Sequence, residues 1–441
     1  MAVHSMTDKA WKTELERIRE RSSKDKHAKF DNLRQHINLK SLKEAFDELE
    51  EDKAAGIDGV TKADYARELE KNLKELLRRI RTGSYKAQKS RRVEIPKEDG
   101  SVRIIMVACL EDKIVQKAVS KILEAIYEPT FEKDSYGFRE EHNCHEALKA
   151  LKGYVYRMKN GALIEIDIRK CFDSIPHAEM MKILEEKIKD RGFLRLIYKL
   201  MIAPIEEGGK EKRNEVGCPQ GSIISPILSN IFLDIVIDKW LRDLKRSYFK
   251  NCVEMVRYAD DMVFVFANKR EAEKFYKVLP KRLRKYGLEM HEEKSQLLES
   301  GATAAAKAEK EGRRLGVYKF LGFTCYWGKA KKGFWRLKFK SRGDRVTRKL
   351  KEIKQYLRAN LNASKSNIVL ERVKAITRGW INYHAISDNE RRVKGFIQKV
   401  RYLLYKWMNR RGRKKKLSWE RFNEIMKRIE FPMQFRVTSM F

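Results

Sequence analysis

Two almost wholly apolar runs, Cys252–Tyr258 and Met262–Ala267, are separated only by Ala259-Asp260-Asp261. A connection this short can join only antiparallel neighbours, so the sequence dictates a tight hairpin with adjacent carboxylates at its tip. Two acids held there repel one another, and buried strands leave them little water. A divalent cation removes the conflict, and oxygen donors of this type suit Mg²⁺. Taken alone, an Asp-Asp pair is an ordinary exposed turn, so a third carboxylate matters. Leu163–Ile168 alternates, with Ile164, Ile166 and Ile168 on one face and Glu165 and Asp167 on the other. Asp167 therefore stands at the polar-face end of a second strand. Such a set can hold two cations about 3.5–4 Å apart, which activate a hydroxyl and stabilise the leaving oxygen in a displacement at phosphorus.

Composition points the same way. Of 441 residues, 98 are Lys or Arg and 62 Asp or Glu, a net charge of +36. Residues 341–441 alone carry 27 basic against 8 acidic side chains. This excess repels itself unless a polyanion offsets it, and nucleic acid, which gains by counterion release, is the leading partner. A merely solvated basic surface is the alternative. At 42% apolar residues the chain can bury cores, and its length suggests two or three domains. No apolar run reaches membrane-spanning length: Ile223–Trp240 is broken by Ser225, Pro226, Asn230, Asp234 and Asp238. The N-terminus lacks the apolar core of a signal peptide. Six scattered cysteines without a Cys-x-x-Cys pair suggest reduced thiols in a cytosol.

Along the chain, residues 7–50 read as helical and charged. A helix is expected over Lys62–Arg81, ended by Gly83, and two strands, Arg91–Pro96 and Val102–Val107, flank the turn Lys97-Glu98-Asp99-Gly100. Further helices are expected over Asp112–Tyr127 and Lys269–Tyr286. Ser225-Pro226 reads as an N-cap with proline at the first helical position. That helix carries an apolar stripe of Ile227, Leu228, Ile231, Phe232 and Ile235, opposed by Asn230, Asp234 and Asp238. The Gly- and Lys-rich stretch Gly301–Gly316 is the expected mobile loop, and basic helices without strands follow Ser341.

The order of the motifs carries a family resemblance. Tyr258-Ala259-Asp260-Asp261 resembles the signature hairpin of reverse transcriptases, and Asp167 with Phe172 resembles their first palm motif. Gly217-Cys218-Pro219-Gln220-Gly221-Ser222, with Ser225-Pro226 and Asn230 beyond, is similar to the next. Ile95-Pro96-Lys97 with Arg103, Ser135-Tyr136-Gly137-Phe138-Arg139, Gly287-Leu288 with Lys294, and Phe320-Leu321-Gly322-Phe323 match in order, covering about residues 52–325. Two segments narrow the resemblance to bacterial group II intron-encoded reverse transcriptases/maturases. These are Ala54-Ala55-Gly56-Ile57-Asp58-Gly59-Val60 and the thumb-like Arg378-Gly379-Trp380-Ile381-Asn382-Tyr383. The tail through Trp407, Trp419 and Pro432 agrees.

The resemblance implies an α+β right-hand polymerase fold. Residues 1–90 would be an N-terminal extension and the start of the fingers, 91–162 fingers, and 163–330 palm. A helical thumb would span 341–408 and a basic tail 409–441. It implies RNA-directed DNA synthesis and a maturase role on a group II intron RNA. The partners would be an RNA template with DNA primer, deoxynucleoside triphosphates, intron RNA and target DNA, in a bacterial cytoplasm without a membrane. A domesticated relative in phage defence, or an RNA-binding splicing cofactor without polymerase function, would carry the same motifs.

Asp167, Asp260 and Asp261 would bind two Mg²⁺, Mn²⁺ being able to substitute, with the carbonyl of Ile168 as a further ligand and Asp261 the more peripheral acid. Phe172 would lie under the deoxyribose, disfavouring ribonucleotides. Lys97 and Arg103 would clamp the triphosphate, Gln220 and Gly221 would floor the templating base, and Lys294 would protonate the leaving pyrophosphate. Arg410, Arg411, Arg413, Lys414, Lys415 and Lys416 form a basic run suited to RNA or DNA. Ordinary packing or solvation is the alternative for each of these residues.

Two stretches depart from the family pattern. Ile104-Ile105-Met106-Val107-Ala108 replaces a Leu-Gly-Ile-Pro-like run, and Glu140-Glu141-His142-Asn143 replaces a Pro-Gly-Arg-like turn. After Tyr383 there is only His384 and no cysteine, so an appended His/Cys nuclease is expected to be absent. Met6 could equally begin the natural chain in place of Met1.

Overall fold

A computed structural model describes residues 4–51, 53–96, 102–207, 210–212, 214–250, 252–362, 365–411 and 416–440. The chain divides into two compact units. One comprises Met1–Asn143, Ile166–Met262 and Glu273–Gln296, the other Cys144–Glu165, Val263–Ala272 and Leu297–Phe441.

The first unit is organised on the helix Leu110–Tyr127, whose apolar residues occur on most sides rather than in one stripe, so Ile114, Val115, Ala118, Val119 and Ile122 are all buried. Helices His4–Lys24 and Leu39–Asp47 pack on it. The expected single helical stretch over 7–50 is thus interrupted: a turn follows Lys24, and Asn38 starts the second helix with a capping box to Ser41. Gly83 at φ 77° ends the helix Leu69–Thr82, as the sequence suggests.

Strands Ser90–Pro96 and Val102–Val107 pair antiparallel in the register Arg91↔Val107 to Ile95↔Arg103. The expected turn Lys97–Gly100 lies outside the described residues. Two short strands, Ile205–Glu207 and Lys210–Lys212, extend this sheet, with Ser90 bridging Ile205 in parallel.

Pro226 lies in the first turn of the helix Ser225–Leu233, but Ser225 is not its cap: its hydroxyl donates to the Pro219 carbonyl at 2.9 Å. The helix continues through a π-helical turn at Asp234–Asp238 into Lys239–Ser247. Asn230, Asp234 and Asp238, opposite the apolar stripe, do not face water but are at most 2% exposed. A buried carboxylate must find a cation, and Asp234 meets Lys239 at 2.8 Å.

Glu124, on the central helix, lacks such compensation. Burial pushes its carboxyl up to about 7, reinforced by Glu140 and Glu128 and opposed by Lys117 and Lys121. Its folded value lies above the unfolded one, so it costs stability progressively as pH rises from about 4.5 towards 7. Glu124→Gln should therefore raise stability at pH 8 by about 2–3 kcal/mol and change little at pH 4, measured by denaturant unfolding.

A further sheet has the strand order Val253–Tyr258, Asp261–Phe266, Gly161–Ile166, Gln296–Ser300.

The second unit contains an antiparallel three-stranded sheet, Trp335–Ser341, Phe323–Lys329, Tyr318–Phe320. It also contains the helices Gly343–Ala359, Ser366–His384, Glu390–Arg411 and Trp419–Arg428. Ile353, Val373, Phe396, Val400, Leu404, Trp407 and Phe422 form their core. Trp380 stacks on Phe396 at 4.6 Å between centroids and on His384 at 3.9 Å, as expected of ordinary helix packing. Residues 301–316 are not simply a loop: Ala302–Lys310 is a helix whose Ala304, Ala305 and Ala308 are buried.

Candidate active site

Asp260 is the second residue of the turn between Val253–Tyr258 and Asp261–Phe266. The turn is sharp because Ala259 takes φ 57°, a left-handed conformation that costs a side-chain-bearing residue energy and persists only when its surroundings impose it. Arg257 supplies that constraint. Its side chain is 0% exposed, and its guanidinium donates from Nε to Asp238 Oδ1 at 2.8 Å and from Nη1 to Asn230 Oδ1 at 2.9 Å. Nη1 also donates to the carbonyl of Ala259 itself at 3.2 Å. Asn230 in turn donates to the Gly137 carbonyl at 2.8 Å. The planar fork of arginine suits this set of acceptors.

Gly137 completes the brace. A Cβ there would lie 2.3 Å from the Ala259 nitrogen, so only glycine lets the 135–139 loop touch the hairpin backbone. Gly137→Ala should force the two apart and destabilise the unit by about 1–3 kcal/mol, measurable as a lower denaturation midpoint. Nearby, in the stretch Glu140–Asn143, Glu141 holds φ 63°. Glu140 pairs with Arg19 at 3.0 Å and Arg139 with Glu128 at 2.8 Å. The departure from the pattern thus places a side-chain-bearing residue at positive φ and sets Glu140 in an ion pair with Arg19.

Asp167 follows the strand Gly161–Ile166. Its carbonyl accepts from the His291 N–H at 2.8 Å, and the Arg169 N–H donates to the Glu289 carbonyl at 2.8 Å. Ile168 faces Met290 between these bonds, which leaves its own carbonyl outside that ladder. Burial pushes the Asp260 carboxyl above the usual range; a backbone N–H opposes this, the charge of Asp167 adds to it, and Arg103 and Arg257 oppose it. Asp167, Asp260 and Arg103 therefore share one electrostatic neighbourhood. Lys294 lies there too, its Nζ 3.8 Å from Asp167 Oδ2.

The other predicted residues reach the same region through backbone contacts. Phe172, half-buried in the short helix Cys171–Ser174, offers its carbonyl to the Cys218 N–H at 2.7 Å. The Gln220 carbonyl accepts from the Met106 N–H at 2.7 Å, and a Cβ on Gly221 (φ 98°) would lie 2.5 Å from Ile105 Cγ2. Ile105 and Met106 belong to the strand that carries Arg103, so this loop joins the two segments.

Asp261 is exposed, and among the described residues no three acidic, His or Cys side chains are gathered into a metal-holding cluster. Asp167 and Asp260 are the pair brought together. Lys97 lies outside the described residues, as do Arg413, Lys414 and Lys415. Arg410 and Lys416 are exposed, and Arg411 ends its helix. Arg257 and Asp238 were not singled out from the sequence. The available signal was a lone arginine inside an otherwise buried strand and an acid one turn beyond Asp234.

Comparison with known proteins agrees with this arrangement. The profile of the family described as reverse transcriptase (RNA-dependent DNA polymerase) matches residues 95–325. The chain belongs to that family, and its fold is the mixed α and β right-hand polymerase fold. The profile of the group II intron maturase-specific domain matches residues 345–425. The chain is 37% identical over 190 residues to the group II intron-encoded protein LtrA of Lactococcus lactis, covering 42% of this chain and 31% of that protein. It is 40% identical over 178 residues to a putative COX1/OXI3 intron 2 protein of Saccharomyces cerevisiae, covering 40% and 20%. With protein YkfC of Escherichia coli it shares 31% over 239 residues, covering 48% and 62%. The matched part is thus less than two thirds of each relative. Reverse transcriptases in general use divalent metal ions. The enclosed Asp260 beside Asp167 fits that need, because a cation would offset both the burial and the repulsion.

Proposed function

We propose that the protein is an RNA-directed DNA polymerase that also assists a group II intron RNA in splicing and mobility, in a bacterial cytoplasm. The observation that carries the polymerase reading is Asp260, held on a braced hairpin in one electrostatic neighbourhood with Asp167 and Arg103. Asp167, Asp260 and Asp261, with the Ile168 carbonyl, would hold two Mg²⁺, or Mn²⁺ in their place. When bound, the ions would activate the primer hydroxyl and stabilise the leaving pyrophosphate.

The chain's own groups do the rest. Arg103, with Lys97, offers positive charge to the triphosphate. Phe172 presents a rigid ring to the sugar and leaves no room for a 2′-hydroxyl. Gln220 and Gly221, fixed on Met106 and Ile105, set the floor for the templating base. Lys294, adjacent to Asp167, is positioned to give a proton to the leaving group. We read 91–162 as fingers, 163–330 as palm and 341–408 as thumb, with Arg410–Lys416 at the start of a basic tail that grips RNA or target DNA.

The test is primer extension on an RNA template with Mg²⁺, comparing deoxynucleotides with ribonucleotides. Extension with deoxynucleotides alone is the expected result. Efficient ribonucleotide incorporation would overturn the assignment of Phe172, and no extension with either would overturn the polymerase reading.

A further inference from the structure

A cavity of about 980 Å³ lies in the second unit, and apart from His145 its lining comes from residues 378–438. Four separate elements bring cations to it: Arg378, Arg401, Lys427 and Arg436. Arg378, Lys427 and Arg436 are exposed, and none has an ion-pair partner among the described residues. Some other cations on these helices are neutralised locally, as Lys374 is by Glu371 and Lys394 by Glu390. One carboxylate, Glu430, also borders the cavity and pairs with none of the three.

Arg401 is set differently. Its guanidinium donates to Gln398 Oε1 at 2.9 Å and to Asn423, and lies over the Phe422 ring 5.9 Å from the centroid. Its enclosed Nε has no partner.

The floor is apolar: Met426 and Phe431 are buried, and Phe435 is partly so. The segment that supplies Phe435 and Arg436 is fixed at both ends, with the Phe431 N–H donating to the Met426 carbonyl at 2.9 Å and the Thr438 N–H to the Ala385 carbonyl at 2.7 Å. The cavity is therefore built into the fold.

Unneutralised cations around an apolar floor match a ligand with a flat apolar body and anionic flanks. A small anion alone would gain nothing from the floor. An apolar peptide would gain nothing from three free positive charges. We infer that this cavity receives an unpaired nucleotide of a nucleic-acid strand, its base against Phe435, Met426 and Phe431 and its neighbouring phosphates at Arg378, Lys427 and Arg436. The inference goes beyond the polymerase reading and requires no catalysis.

The test uses the full chain and hairpins carrying 2-aminopurine, either as a single bulged nucleotide or paired within the stem, each made as RNA and as DNA. Binding should alter the fluorescence of the bulged probe and not of the paired one. Arg378→Gln with Arg436→Gln should weaken binding of the bulged hairpin on the order of tenfold. Both residues are exposed, so the fold is retained. Phe435→Leu keeps the packing without the ring and should diminish the fluorescence change. A preference between the RNA and DNA probes assigns the strand, and an equal response assigns both.

Equal binding of bulged and paired hairpins, weakened alike by the arginine variants, would overturn the proposal in favour of a general basic surface. So would an unaltered signal from the bulged probe. Asp260→Asn should bind the bulged hairpin as the wild type does, so failure of the polymerase reading is read separately, by extension.

Discussion

Asp260→Asn should abolish primer extension while leaving the protein folded and able to bind nucleic acid. Asparagine keeps the size of the side chain and one oxygen but removes the charge that would attract a divalent cation. Losing a ligand that supplies several kcal/mol of transition-state stabilisation corresponds to a fall on the order of 10³-fold or more. The protein should melt no lower than wild type, because burial and the Asp167 charge already disfavour the ionised form of Asp260. Asp261→Asn is the informative partner, since Asp261 is exposed. A smaller loss is expected there. Full activity in Asp260→Asn, measured as single-nucleotide extension under Mg²⁺, would rule out the proposed chemistry.

The second large effect concerns a residue that touches no substrate. Arg257→Met leaves Asp238 buried and unpaired, which should cost about 3–5 kcal/mol in unfolding free energy. Adding Asp238→Leu should recover much of that loss, because replacing a buried pair by apolar groups is often neutral or better. Activity should not return with stability. The guanidinium bond to the Ala259 carbonyl is still missing in the double variant, and with it the constraint on the turn that aims Asp260. Arg257→Lys makes the same point more gently, as one ammonium cannot serve Asp238, Asn230 and the turn carbonyl together. Thermal unfolding and extension rates measured on all three variants separate the two roles. Extension that tracks stability across the series would reduce Arg257 to a packing residue.

These two cases show why one half of the site was legible in the sequence and the other was not. Asp260, Asp261 and Asp167 announce themselves through local rules: a turn too short for anything but a hairpin, and a strand with strict alternation. Arg257 is set by partners 19 and 27 residues away, which no local period encodes. Asn230 and Asp238 looked like the polar side of an amphipathic helix, when the polar side is in fact buried against that arginine.

Elsewhere the signal was present and outweighed. Gly301, Gly312 and Gly316 suggested a loop, yet Ala302–Lys310 holds five alanines in nine residues, the strongest helix former. Trp335–Ser341 alternates faithfully, with Leu337 and Phe339 buried, a period of two that the sequence carries openly.

The chain of bonds from Gly137 through Asn230 and Arg257 to Ala259 also bears on exchange between relatives. The four residues lie in three separate stretches of sequence, so a hairpin transplanted alone would arrive without the partners that shape it. Substitutions at these positions should be tolerated in concert rather than singly. A hybrid enzyme that takes its turn from one parent would need the loop and the long helix from the same parent.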